Sequence, residues 1–116
     1  MPHKPDYQIR SFKFACGILN LCRELEEART VPGRVINQLL RSGTSIGANL
    51  EEARAAQSRA DLLAKFSIAL KESRETLYWL RLIESTCRVP SALLRPALTE
   101  ANELVAILTT SVIRMK

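Results

Sequence analysis

The sequence predicts an all-α protein, a single-domain antiparallel up-down four-helix bundle. Three observations carry that prediction. Apolar residues recur at spacings of three and four along nearly the whole chain, which at about 100° per residue is the mark of helices with one buried face. Three short breaks, at Thr30-Val31-Pro32-Gly33, around Gln57-Ser58 and at Arg88-Val89-Pro90-Ser91, divide the pattern into four segments. Only 5% of residues are aromatic and four are glycine, so turns are few and strand-type residues do not cluster. Short connections make consecutive helices antiparallel neighbours. The predicted helices span about 6–28, 32–56, 58–86 and 91–115, and a chain of 116 residues can bury one core without disulfides or metal.

The first helix starts at Asp6, whose carboxylate can cap the first turn. Phe12, Ala15, Cys16, Leu19 and Cys22 form one apolar stripe, read as the core face, and Tyr7, Phe14, Ile18, Leu21 and Leu25 form a second. Between them lies only a narrow polar wedge of Arg10, Lys13, Asn20, Glu24 and Glu27. A surface helix of a monomeric bundle normally carries one apolar stripe somewhat over about 100° wide. The second stripe is therefore assigned to a contact between subunits, in preference to the alternative that other helices of the same chain cover it.

In the second helix Val35, Leu39, Gly43, Ile46, Leu50 and Ala53 face the core, and Pro32 suits the first turn, where its missing N–H is not needed. Ser42, Gly43, Ser45, Gly47 and Ala48 are all small. Glycine inside a helix costs about 1 kcal/mol relative to alanine, so two of them point to a close backbone approach that offsets the cost. No strand precedes them and no Gly-Lys-Ser/Thr follows, which excludes a phosphate-binding loop. On the polar side, antiparallel packing places Arg41 level with Glu72 and Glu75 of the third helix, predicting a charge-assisted ion pair.

Ser58 with Asp61 three residues later caps the third helix. Its core stripe is Leu62, Phe66, Ala69, Leu70, Ser73, Leu77 and Leu80, and a second apolar face carries Ile68, Trp79, Leu82 and Ile83. Large apolar groups outside a core mark contact surfaces, so Ile68, Trp79 and Ile83 join the expected subunit interface. A third face presents Lys71, Arg74, Tyr78 and Arg81 at i, i+3, i+7 and i+10 with no acid on the line. Lysine and arginine can contact phosphate while tyrosine can stack on a base or sugar, and these four are the candidate nucleic-acid-binding residues. The competing reading is a solvated face with partners such as Glu75. Ser91 can cap the fourth helix, whose stripe runs from Leu94 through Leu98, Leu104 and Leu108 to Met115. Pro96 removes one backbone bond and is expected to kink it or to end a separate short turn.

Composition narrows the function. The net charge is +5, from 17 Lys and Arg, 12 of them Arg, against 12 Asp and Glu, a balance that suits polyanionic partners. The odd set Cys16, Cys22 and Cys87 contains no C-x-x-C pair and argues against a disulfide framework or a zinc site. His3 is the sole histidine, so imidazole catalysis and Glu-x-x-His di-iron chemistry have no candidate, and the expectation is a non-enzymatic protein with no cofactor and no metal. No uncharged apolar run of about 18 residues and no secretory segment is seen, which predicts a cytoplasmic protein without a membrane role.

QLLRSGTSIGANLEEA at 38–53, followed after Ser58 by KFSIALKESRETLYWLRLI at 65–83, resembles the four-helix bundle proteins encoded in intervening sequences of bacterial 23S ribosomal RNA genes. Glu51 departs from the small residue expected in LEEA. This family is similar in turn to the accessory variability determinant of diversity-generating retroelements, a basic pentamer that binds nucleic acid and a reverse transcriptase. The resemblance implies a homopentamer, with RNA or DNA and a reverse transcriptase as further partners. Two readings follow: a basic homo-oligomer that associates with nucleic acid, and a purely structural or protein-binding oligomer whose charge serves solubility.

Overall fold

The computed structural model describes residues 6–116, so His3 lies outside the described residues. It contains α1 (Tyr7–Ala28), α2 (Gly33–Ala53), α3 (Arg59–Thr86) and α4 (Ser91–Met115). Asp6 caps α1 by accepting the Ile9 N–H at 3.1 Å. Arg29 closes the helix in the left-handed region, with φ 57°, sending its N–H to the Leu25 carbonyl. Ser58 accepts the Asp61 N–H at 3.0 Å while the Asp61 carboxylate accepts the Gln57 N–H at 3.2 Å, a reciprocal cap that fixes the α2–α3 turn. Helix α2 ends at Ala53, earlier than predicted, because this turn takes residues 54–58. At α4 the capping position falls to Pro90, with no side-chain cap, and Ser91 is already helical. The helix continues through Pro96 without the predicted separate turn.

The pairings run in opposite senses along every seam. Gln8 reaches the Leu50 carbonyl while Cys22 lies on that of Ile36. Across α2 and α3, Ser42 meets Thr76 and Glu52 meets Lys65. Across α1 and α4, Tyr7 meets Ser111 while Arg10 meets Glu100, and the short connection at 87–90 folds α4 back along α3, where Glu84 meets Arg95. The result is an up-down-up-down bundle 44 Å long, in which each helix packs on its neighbour in the chain and α1 touches α4 more sparsely.

Glycine sets the tightest approach. A Cβ on Gly43 would stand 2.8 Å from Cγ2 of Ile18, and one on Gly47 would meet the Ser11 carbonyl at 3.3 Å. The α1–α2 seam is thus closed by Ile18 lying on bare backbone, and this decides which stripe of α1 faces inward. Phe14, Ile18, Leu21 and Leu25, expected at a subunit contact, are buried in the core of their own chain, Ile18 and Leu25 completely. Tyr7 is half-buried; its ring meets that of Phe66 edge-on at 5.4 Å and its hydroxyl pairs with Ser111. Most of the stripe read as the core face points outward: Phe12 is 68% exposed, and Cys16 and Leu19 lie in solvent with Ile9, while Ala15 is half-buried and Cys22 alone is in the core. Periodicity showed two equivalent stripes, and only the glycines of the partner helix distinguish them.

The α3 assignment needs a similar correction. Ile83 is completely buried and Trp79 half-buried against the core, so of the three residues assigned to a contact only Ile68 is exposed. The inward arc is Phe66, Ala69, Ser73, Thr76, Leu80 and Ile83, while Leu62, Leu70 and Leu77 are half-buried at its edge. The arc is turned toward α2 because the buried Thr76 hydroxyl donates to Ser42 at 2.9 Å, a contact only small side chains permit.

Candidate nucleic-acid interface

Helix α3 separates its charges. On the α2 side, Arg41 Nη1 donates to Glu72 at 2.9 Å and Nη2 pairs with Glu75. The Trp79 indole N–H donates to the same Glu75 carboxylate at 3.0 Å. These donors hold the Glu75 carboxyl below its usual range, the indole contributing most, then Arg41, with Lys71 adding through space. The Arg41 guanidinium is correspondingly raised, chiefly by its hydrogen bond to Glu75. Both acids in the middle of α3 are thereby neutralised on one side of the helix.

The other side carries the cations. Lys71, Arg74 and Arg81 are exposed, Tyr78 is 58% exposed, and none of the three cations forms an ion pair among the described residues. At 1.5 Å per residue the line is about 15 Å long. The Tyr78 ring stands edge-on to Trp79 at 5.2 Å, which ties it to the half-buried indole and leaves its outer surface open.

This line borders a groove between α3 and α4 whose walls include Arg81, Glu84, Arg95, Thr99 and Asn102, over Leu77 and Leu98. Among the described residues that line it, Glu84 is the only acid, and Arg95 lies 3.4 Å from it. The two acids of α4 turn toward α1: Glu100 takes Arg10 through two hydrogen bonds at 2.6 and 2.9 Å, and Glu103 pairs with the same guanidinium. Arg10 is raised by this double contact. The sequence reading included Lys71, Arg74, Tyr78 and Arg81 but missed Arg95, Thr99 and Asn102. The signal available was a neutral run, Thr99, Asn102, Ala106 and Thr110, at helical spacing on α4.

A second surface lies on α1, where Phe12 and Ala15 border a groove with Thr44, Gly47 and Ala48 of α2. Of the cysteines, Cys16 is exposed, whereas burial pushes the Cys22 thiol up to about 11. Among the described residues no helix is long and apolar enough to cross a membrane.

A family model described as 23S rRNA-intervening sequence protein matches residues 6–110. Among solved structures, a protein with unknown function from the S23 ribosomal protein family of Bacteroides thetaiotaomicron VPI-5482 is 39% identical, with a TM-score of 0.84. The match covers 91% of this chain and 97% of that one. No curated protein matches.

Proposed function

The chain belongs to the family of 23S rRNA-intervening sequence proteins, and from that premise we propose that it is a non-enzymatic, self-associating basic bundle that holds nucleic acid along α3. The observation that carries this reading is the line of Lys71, Arg74, Tyr78 and Arg81, exposed and outside any ion pair among the described residues, while Glu72 and Glu75 are engaged by Arg41. Cations left free in this way can release counterions from a phosphate backbone. Self-association is supported by the exposed apolar stripe of Ile9, Phe12, Cys16 and Leu19, which takes the role expected of the inward stripe of α1. A pentamer, and a reverse transcriptase as partner, rest on the resemblance to the accessory variability determinant. Symmetry would repeat the cationic line in every protomer and give avidity to a weak site.

Replacing Lys71, Arg74 and Arg81 together by Gln tests the proposal. All three side chains are exposed, so helix content and assembly should be unchanged. Affinity for RNA and DNA should fall, and the dependence of log affinity on log salt should flatten by roughly 0.7–0.9 for each phosphate no longer neutralised. Unchanged affinity at two salt concentrations would leave the structural or protein-binding oligomer, which the apolar α1 face supports independently of charge.

A further inference from the structure

We propose that the α3–α4 groove is a track for one unpaired nucleic-acid strand, with a base stacked on Tyr78 and the adjoining backbone and base edge held by Arg81, Arg95, Thr99 and Asn102. This rests on the nucleic-acid reading above and specifies its ligand. Three observations point to a single strand. The cations stand in single file along one helix, matching one phosphate backbone, whereas a duplex offers two backbones across a major groove about 12 Å wide. Tyr78 is 58% exposed while a T-shaped contact with Trp79 holds its ring in place, a platform that only an unstacked base can use. The far wall of the groove is neutral and polar: the Asn102 amide both donates and accepts, and so does the Thr99 hydroxyl. Neither has a side-chain partner among the described residues, and both sit opposite Arg81 where a base edge or sugar hydroxyl can reach them.

Arg95 is the adaptable member. Its contact with Glu84 is long, at 3.4 Å, and the Arg95 side chain is 63% exposed and that of Glu84 38%, so the pair is worth little. A phosphate entering the groove can take the guanidinium bidentately. Leu77 and Leu98 form the floor and provide apolar contact for a base that has left its stack.

The experiment is fluorescence anisotropy of the full chain with labelled single-stranded RNA, single-stranded DNA and a duplex of the same sequence at two salt concentrations. The wild type should prefer both single strands to the duplex. Tyr78→Ala should weaken single-strand binding by about tenfold or more, and Thr99→Ala with Asn102→Ala by roughly tenfold, as for the removal of two neutral hydrogen bonds. Duplex binding should be unchanged in both, and Tyr78→Phe should restore single-strand affinity. Circular dichroism and thermal melting establish that each variant is folded. Equal binding of strand and duplex, with Tyr78→Ala and the double variant without effect, overturns the groove and leaves the basic line of α3 standing. Absence of binding to any of the three probes overturns both.

Discussion

Ile18 shows how much one side chain decides. It is completely buried on Gly43, where an added Cβ would come within 2.8 Å of its Cγ2, and both branches of that side chain are committed. Gly43→Ala should therefore destabilise the protein by about 1–3 kcal/mol through overpacking, despite the gain of up to about 1 kcal/mol in helix propensity. Gly17 sits in the middle of α1, where an added Cβ would meet nothing within 4 Å, so Gly17→Ala should stabilise by up to about 1 kcal/mol. Urea denaturation of the two variants reads the difference directly. Equal effects would mean that the α1–α2 seam is looser than this geometry. The glycines were legible as a close approach; the residue that fills it was not, since the choice between two apolar stripes depends on contacts distant in sequence.

At the scale of elements, the α2–α3 seam joins a buried hydroxyl pair, Thr76 with Ser42, to the outer cluster of Arg41, Glu72, Glu75 and Trp79. Arg41→Ala would leave Glu72, which is buried, without its cation and should cost about 1 kcal/mol, an amount limited by the exposure of Arg41 itself. The same cluster sets an acid dependence. Because the folded-state pKa of Glu75 is depressed, its contribution is present above the ordinary glutamate value of about 4.3. It is lost as pH falls from that value through the folded one. Thermal melts between neutral and acidic pH should show that loss in the wild type, and a smaller one after Trp79→Phe, which removes the largest cause of the shift. Spacing alone placed Arg41 opposite Glu72 and Glu75, because an antiparallel hairpin with a short turn fixes register. The start of α4 was less legible, since Ser91 has the side chain of a cap and yet the backbone places Pro90, which has no acceptor to offer, at the capping position.

For the molecule as a whole, the two surplus surfaces are distinct: the apolar stripe lies on α1, and the cationic line lies on α3 beside α4. The proposed assembly and the proposed nucleic-acid binding should thus be separable by mutation. Ile9→Glu with Phe12→Glu should dissociate an oligomer into folded protomers, since unpaired charges are costly at an apolar contact. Ile18→Glu should unfold the chain instead, because it places the same charge in the core. Light scattering with circular dichroism distinguishes these outcomes, and a wild-type monomer at micromolar concentration would remove the premise of assembly. The cationic line was readable from α3 alone, whereas its neutral wall on α4 required knowing which helices are adjacent. The order of the helices also bears on how the bundle forms. The loops at 29–32, 54–58 and 87–90 let each hairpin close over a short span of chain, and such local topologies fold quickly. The sparse α1–α4 seam is the exception, as it joins the two ends of the chain and must meet the largest loop-closure entropy. Interactions made after the folding barrier act mainly on the unfolding rate. Arg10→Ala, which removes the contact to Glu100 and Glu103 across that seam, should therefore speed unfolding more than it slows folding, as stopped-flow kinetics would show.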